Sequence, residues 1–188
     1  MNCTVCSQHS CRRLEPCGGE AFDRLEALEA YKESSSQAIV QASAVLVDGR
    51  AGELSRWEEI LEFFTHRGYR RLGLAYCWGL EGWAKALVQQ LKVKGIPVSA
   101  VSCTVGAHSQ TQINESSPLA GVSCNPISQA RQLMAEGVDF ALQVGLCLGH
   151  DILFTREFKG DQTTLVVKDR KWAHQPQKGF LDEAVNRS

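Results

Sequence analysis

The stretch Phe140-Ala-Leu-Gln-Val-Gly-Leu-Cys-Leu-Gly-His-Asp-Ile-Leu-Phe154 constrains this chain more than any other. Its apolar run from Val138 to Leu146 reads as a buried strand. Gly149 turns the chain, and apolar residues resume at Ile152 as a helix requires. Strand, glycine turn and helix in succession form the unit of a parallel α/β sheet, whose chemistry sits just beyond the carboxyl ends of its strands. Cys147, His150 and Asp151 fall at that place, and two other predicted strands also end in a thiol, Cys77 and Cys103.

The rest of the chain extends the alternation. Phe22, Leu25, Leu28 and Tyr31 recur at intervals of three, so Glu20–Glu33 is expected to be an amphipathic helix. Ser34-Ser35-Ser36 interrupts it, and a second helix is expected from about Gln37 to Val47. Ser55 with Glu58 makes a capping box for a third, which carries Trp57, Ile60, Leu61, Phe63 and Phe64 and stops at Gly68. Leu72–Tyr76 is a short strand, and a helix with Trp83, Leu87, Val88 and Leu91 inward ends at Gly95. Ile96–Val101 is the next strand. Thr104–Val122 is polar and aperiodic and is expected to be a lid. Cys124-Asn-Pro-Ile opens a helix that runs through Glu136, with Pro126 in its first turn. The dipole of that helix is expected to lower the pKa of Cys124. Thr163–Val167 is the last strand and ends in Lys168-Asp169-Arg170.

The predicted fold class is therefore α/β, a Rossmann-like parallel sheet with helices on both faces. Its main strands, about four, are expected near 71–76, 97–102, 139–146 and 163–167. The predicted division is a cysteine-rich segment over 1–19, a helical segment packed on the main domain over 20–69 and an α/β domain over 70–188.

With a net charge of -1 the 188-residue chain has no electrostatic basis for binding nucleic acid or an anionic membrane. No run approaches the roughly 18 apolar residues of a membrane span. Met-Asn-Cys-Thr-Val-Cys lacks the basic start and apolar core of a signal peptide, so a cytoplasmic protein is expected. Eight cysteines in a reducing compartment argue for metal or catalysis rather than disulfides. Small buried hydrophobes are the plainer alternative.

Cys3, Cys6, Cys11 and Cys17 form a C-x2-C-x4-C-x5-C pattern in a segment too short to build a core, so one metal centre is expected to hold it together. Four thiolates suit an iron–sulfur cluster or zinc. One knuckle, with all four cysteines so close in sequence, suits wrapping around a 4Fe-4S cubane; zinc is the alternative. His9 could replace one cysteine, or simply be solvated.

A second constellation comes from the strand ends. Cys77, Cys103, Cys124 and Cys147 are expected to line one cofactor-binding or redox site, because successive parallel strands point their carboxyl ends to one edge. Cys147 or Cys124 could act there as a nucleophile with His150 as base. Asp151 lies nearby. Glu81 reads equally as a first-turn helix acid, and Lys168 and Arg170 as solvated or as a contact for a substrate anion. There is no G-x-G-x-x-G or phosphate-loop sequence behind nucleotide binding.

Several of these segments resemble one family over nearly the whole chain. They are the N-terminal cysteines, Leu74-Ala-Tyr-Cys77-Trp-Gly-Leu-Glu81, Cys124-Asn-Pro-Ile127-Ser-Gln-Ala130, Gly145-Leu-Cys-Leu-Gly-His-Asp151 and Leu165-Val-Val-Lys-Asp-Arg170. Together they resemble the domain of unknown function 1847 family, prokaryotic proteins common in anaerobes and described as predicted metal-binding. The resemblance implies metal binding and no established reaction. Where family members often carry His-Asn-Pro this chain has His174-Gln175-Pro176. The expected function is an iron–sulfur redox protein, an oxidoreductase if an enzyme, working with an electron-transfer partner or a small-molecule substrate. The alternatives are a zinc-binding or metal-handling protein without catalysis, and a thiol enzyme.

Overall fold

The computed structural model describes residues 1–185, so the last three residues of the domain drawn over 70–188 lie outside the described residues. The chain divides into two compact units, Met1–Glu53 and Leu54–Ser188.

In the first unit, two short 3-10 turns, Cys3–Val5 and Ser10–Arg13, precede helices α1 (Arg24–Ala30) and α2 (Ser34–Val47). Asp23 starts α1 by accepting from the backbone N–H groups of Leu25 and Glu26. α1 is shorter than the apolar spacing predicts. Phe22, Leu25, Leu28 and Tyr31 are all exposed, so their regular interval does not mark a buried face. Ala42 and Leu46 are the residues of α2 that are buried.

The second unit is a four-stranded parallel sheet, β1 (Leu72–Tyr76), β2 (Val98–Ser102), β3 (Phe140–Val144) and β4 (Asp161–Val166), in the order β2-β1-β3-β4. The helices are α3 (Arg56–Arg67), α4 (Glu81–Val93), α5 (Gln110–Ile113), α6 (Pro126–Ala135), α7 (His150–Glu157) and α8 (Gln177–Val185). The predicted capping box opens α3: Ser55 Oγ accepts from the Glu58 N–H, and the Glu58 carboxylate accepts from the Ser55 N–H at 2.8 Å.

Alternation along the strands sorts the core into two layers. Leu72, Leu74, Phe140, Leu142 and Val144 pack with Ile60 and Phe64 of α3 and Leu91 of α4. Ala75, Val101 and Ala141 pack on the other face with Ala130 and Leu133 of α6 and Phe154 of α7. Burial of each Leu, Ile, Val or Phe among them stabilises by roughly 1.5–3 kcal/mol. Gly73 lets α6 approach closely, since a Cβ there would lie 2.7 Å from a Val138 methyl and 3.2 Å from Leu133.

The strand order decides where a site can form. From β1 the chain crosses by α4 to β2 on one side, then returns by α6 to β3 on the other. The connections therefore part between β1 and β3, the topological switch point at which doubly wound sheets take their ligands.

Candidate functional site

The register brings the thiols to this point. Tyr76 pairs with both Ser102 and Val144, so Cys77 and Cys103 lie level on neighbouring strands, one residue past the paired positions. The ladder continues one rung further: Cys103 N–H donates to Tyr76 O at 2.9 Å and Cys77 N–H to Val144 O at 3.1 Å. Cys124 comes back to the same edge because the Asn125 N–H donates to Cys103 O at 2.6 Å. The sulfurs of Cys103 and Cys124 lie 3.5 Å apart. Cys77, Cys147 and Lys168 lie near enough to influence the Cys124 thiol.

Two cations reach the remaining thiols from the segment after β4. Lys168 Nζ donates to Cys77 Sγ at 3.2 Å, and the Arg170 guanidinium to Cys147 Sγ at 3.5 Å. β4 neighbours β3, not β1, so Lys168 has to cross β3 to reach Cys77. It does so beside Gly145, whose φ of +63° places a notional Cβ 3.7 Å from the Lys168 stem and 2.2 Å from Leu80. Glycine is required there both for its backbone conformation and for space.

Burial dominates the electrostatics of the close pair. Burial pushes the Cys103 thiol up to about 12; the Trp78 N–H, 3.4 Å from its sulfur, works against this, while Cys124 and Cys77 add to it. Cys124 is also raised, by burial first, with a hydrogen bond to Cys103 and the Lys168 charge opposing. The dipole expectation for Cys124 is thereby corrected. Asn125 is the N-cap of α6, its side chain accepting from the Ser128 N–H, and Cys124 stands one residue outside the cap. Burial is the first cause of the rise, and the neighbouring Cys147 and Cys77 add to it.

The neighbouring polar residues have structural partners. The Asp151 carboxylate accepts from the backbone of Gly149 and Ile152, shaping the turn into α7. His150 meets Cys147 through its backbone, donating N–H to Cys147 O at 2.9 Å. Glu81 pairs with Lys85 at 3.4 Å, the ordinary i,i+4 arrangement of an exposed helix acid. Thr104–Val122 is a closed excursion containing α5. A bridge between Ser109 and Val122 and a 2.8 Å bond from the Ser123 N–H to His108 O fasten its base. A groove of about 580 Å³, lined by Tyr76, Glu81, Lys85, Val88, Lys92 and Ala100, runs along α4 beside the edge strand β2, and none of the cysteines lines it.

Reading the sequence alone missed Trp78, Asn125 and Gln129 as builders of this edge. Gln129 is fully buried and its Nε2 donates to Tyr76 O at 3.1 Å and Val101 O at 2.8 Å, tying α6 to the ends of β1 and β2. A signal was present: Gln129 interrupts the inward face made by Pro126, Ala130 and Leu133.

In the N-terminal segment Cys3, Cys11 and Cys17 are exposed and Cys6 is half-buried, with the His9 N–H donating to its sulfur at 3.4 Å. No side chain among residues 1–19 is buried, and His9 and Leu14 adopt left-handed backbone. The donor chemistry fits an iron–sulfur cluster or zinc. Among the described residues no three His, Cys, Asp or Glu side chains converge in the geometry of a metal site, here or at the sheet edge.

Comparison with known proteins places the chain. A family described as "Protein of unknown function (DUF1847)" matches residues 20–165. The chain belongs to this family. Uncharacterized protein MJ0455 of Methanocaldococcus jannaschii is 35% identical over 179 residues, covering 93% of this chain and 90% of that protein. No solved structure matches the chain. The DUF1847 match includes Cys77, Cys103, Cys124, Cys147 and His150 and begins after Cys17. No helix among the described residues is long and apolar enough to cross a membrane.

Proposed function

We propose that this DUF1847 protein is a metal-binding redox protein with two cysteine sites. Cys3, Cys6, Cys11 and Cys17 hold one iron–sulfur centre of the 4Fe-4S kind. The cysteine-lined carboxyl edge of the sheet is the working site, served by an electron-transfer partner or a small-molecule substrate in a reducing cytoplasm. The observation that carries the reading is the sheet edge itself: a thiol pair at 3.5 Å with Cys77 and Cys147 in electrostatic reach, at the switch point of a doubly wound sheet. For the N-terminal centre the support is the donor set in a segment that buries no side chain of its own. Closing on a metal draws its sulfurs together and supplies the order that a core supplies elsewhere. The bound centre contributes one-electron chemistry; the protein contributes thiolate ligands and their placement. A Cys3→Ala, Cys6→Ala double variant tests this, since it should lose the metal of the N-terminal segment. Unchanged metal content would overturn the assignment.

Zinc in the same segment is the alternative, and colour separates the two: an anaerobically prepared iron–sulfur protein is brown and a zinc protein colourless. A thiol enzyme using Cys147 or Cys124 is the second reading. The Arg170 guanidinium 3.5 Å from Cys147 Sγ favours Cys147 as its nucleophile. Covalent capture of a substrate at Cys147, abolished in Cys147→Ser, would support that reading over the first.

A further inference from the structure

We infer that Cys103 and Cys124 form a reversible dithiol–disulfide couple that exchanges with disulfide substrates, small or protein-borne, and staples the base of the Thr104–Val122 excursion. This deepens the redox reading of the sheet edge by naming its chemistry.

Three observations carry it. The sulfurs lie 3.5 Å apart, so a bond of about 2.05 Å needs only a small approach of the two side chains. The backbones already run together, the Asn125 N–H meeting Cys103 O at 2.6 Å, so the main chain itself holds the two residues side by side. The pair also divides the roles of a two-thiol exchange: Cys124 is half-buried and reachable, whereas Cys103 is 2% exposed and reachable only from within.

The exchange balances as follows. Cys124 gives up its proton and, as thiolate, attacks one sulfur of a disulfide R–S–S–R. That S–S bond breaks, R–S⁻ leaves, and Cys124 carries the mixed disulfide. Cys103, deprotonated in turn, attacks the Cys124 sulfur and expels the second R–S⁻. The two protein protons end on two R–SH, the protein loses two electrons, and R–S–S–R gains them. The Trp78 N–H, 3.4 Å from Cys103 Sγ, faces the charge that develops on the resolving sulfur. Lys168 acts on Cys124 in the same sense, its charge opposing the effect of burial. The reverse reaction reduces a substrate disulfide.

The test titrates the full chain with oxidised and reduced glutathione, blocks remaining thiols with an alkylating agent and maps the peptides. The expected result is one oxidised species that joins the peptides of Cys103 and Cys124 and protects these two thiols together. Protease cleavage within 104–122 should then give fragments that stay joined on a denaturing gel and part when reductant is added. Cys103→Ser should accumulate glutathione on Cys124, whereas Cys124→Ser should leave Cys103 unmodified. Oxidation that joins Cys77 or Cys147 to either residue, glutathione that stays on Cys124 in the unaltered chain, or stoichiometric metal held by Cys103 and Cys124 would each overturn the proposal. Metal analysis of the same samples reports separately on the N-terminal centre, so failure of one assignment is distinguishable from failure of the other.

Discussion

Lys168 donates to the sulfur of Cys77 at 3.2 Å although 91 residues separate them and a whole strand lies between their own. The ammonium does more here than hold one thiol. It sits at the switch point between β1 and β3, where its charge should attract an anionic reagent. Replacing it with the similarly shaped Lys168→Met should leave the fold intact. The preference of the edge thiols for iodoacetate over neutral iodoacetamide should fall about threefold, because local attraction of an anion is lost. Equal loss for both reagents would mean that Lys168 shapes the site and does not steer charge.

Gly145 supports that crossing. At φ +63° with Leu80 2.2 Å from a notional Cβ, Gly145→Ala is strained both in backbone and in space. It should destabilise by about 2–4 kcal/mol, read as a lower urea midpoint. Gly137→Ala also has positive φ but meets nothing within 4 Å, so it should cost about 1 kcal/mol. Equal losses in the two variants would show that contact with Leu80 is unimportant.

Asp139 should give stability a distinct acid limb. Burial opposes its charge, but backbone N–H bonds from Arg71 and Arg70, both at 3.0 Å, hold its carboxyl below the usual range. A depressed carboxyl stabilises above its unfolded pKa of about 3.9, and that contribution disappears as pH falls through the lower folded value. Asp139→Ala should therefore lose about 1–3 kcal/mol at pH 7, with the gap to the unaltered protein narrowing below about pH 4. A gap constant from pH 7 to pH 3 would assign the effect to packing alone.

The four strands were legible because each is an apolar run stopped by glycine or polar residues. β4 starts earlier than its apolar residues indicate: Asp161 and Gln162 are polar yet paired, Asp161 with the Tyr69 hydroxyl and Gln162 with Gln143 of β3. Spacing showed α1 but not its exposure, since periodicity reports a face and not what covers it. The gathering of Cys77 and Cys103 followed from parallel strands sharing an edge. The cations on Cys77 and Cys147 did not follow, because the place of β4 beside β3 is set by crossovers whose order leaves no local mark in the sequence. The state of the Cys124 thiol is illegible in the sequence for a related reason: a helix start is visible in Asn125-Pro126, whereas the burial that raises Cys124 depends on segments distant in sequence.

Metal and acid-labile sulfide analysis of protein prepared without oxygen tests the central claim most directly. The account predicts brown protein whose iron and sulfide are equimolar, both lost together in the Cys3→Ala, Cys6→Ala variant while the α/β unit stays folded. Colourless protein, whether metal-free or carrying zinc, would contradict it.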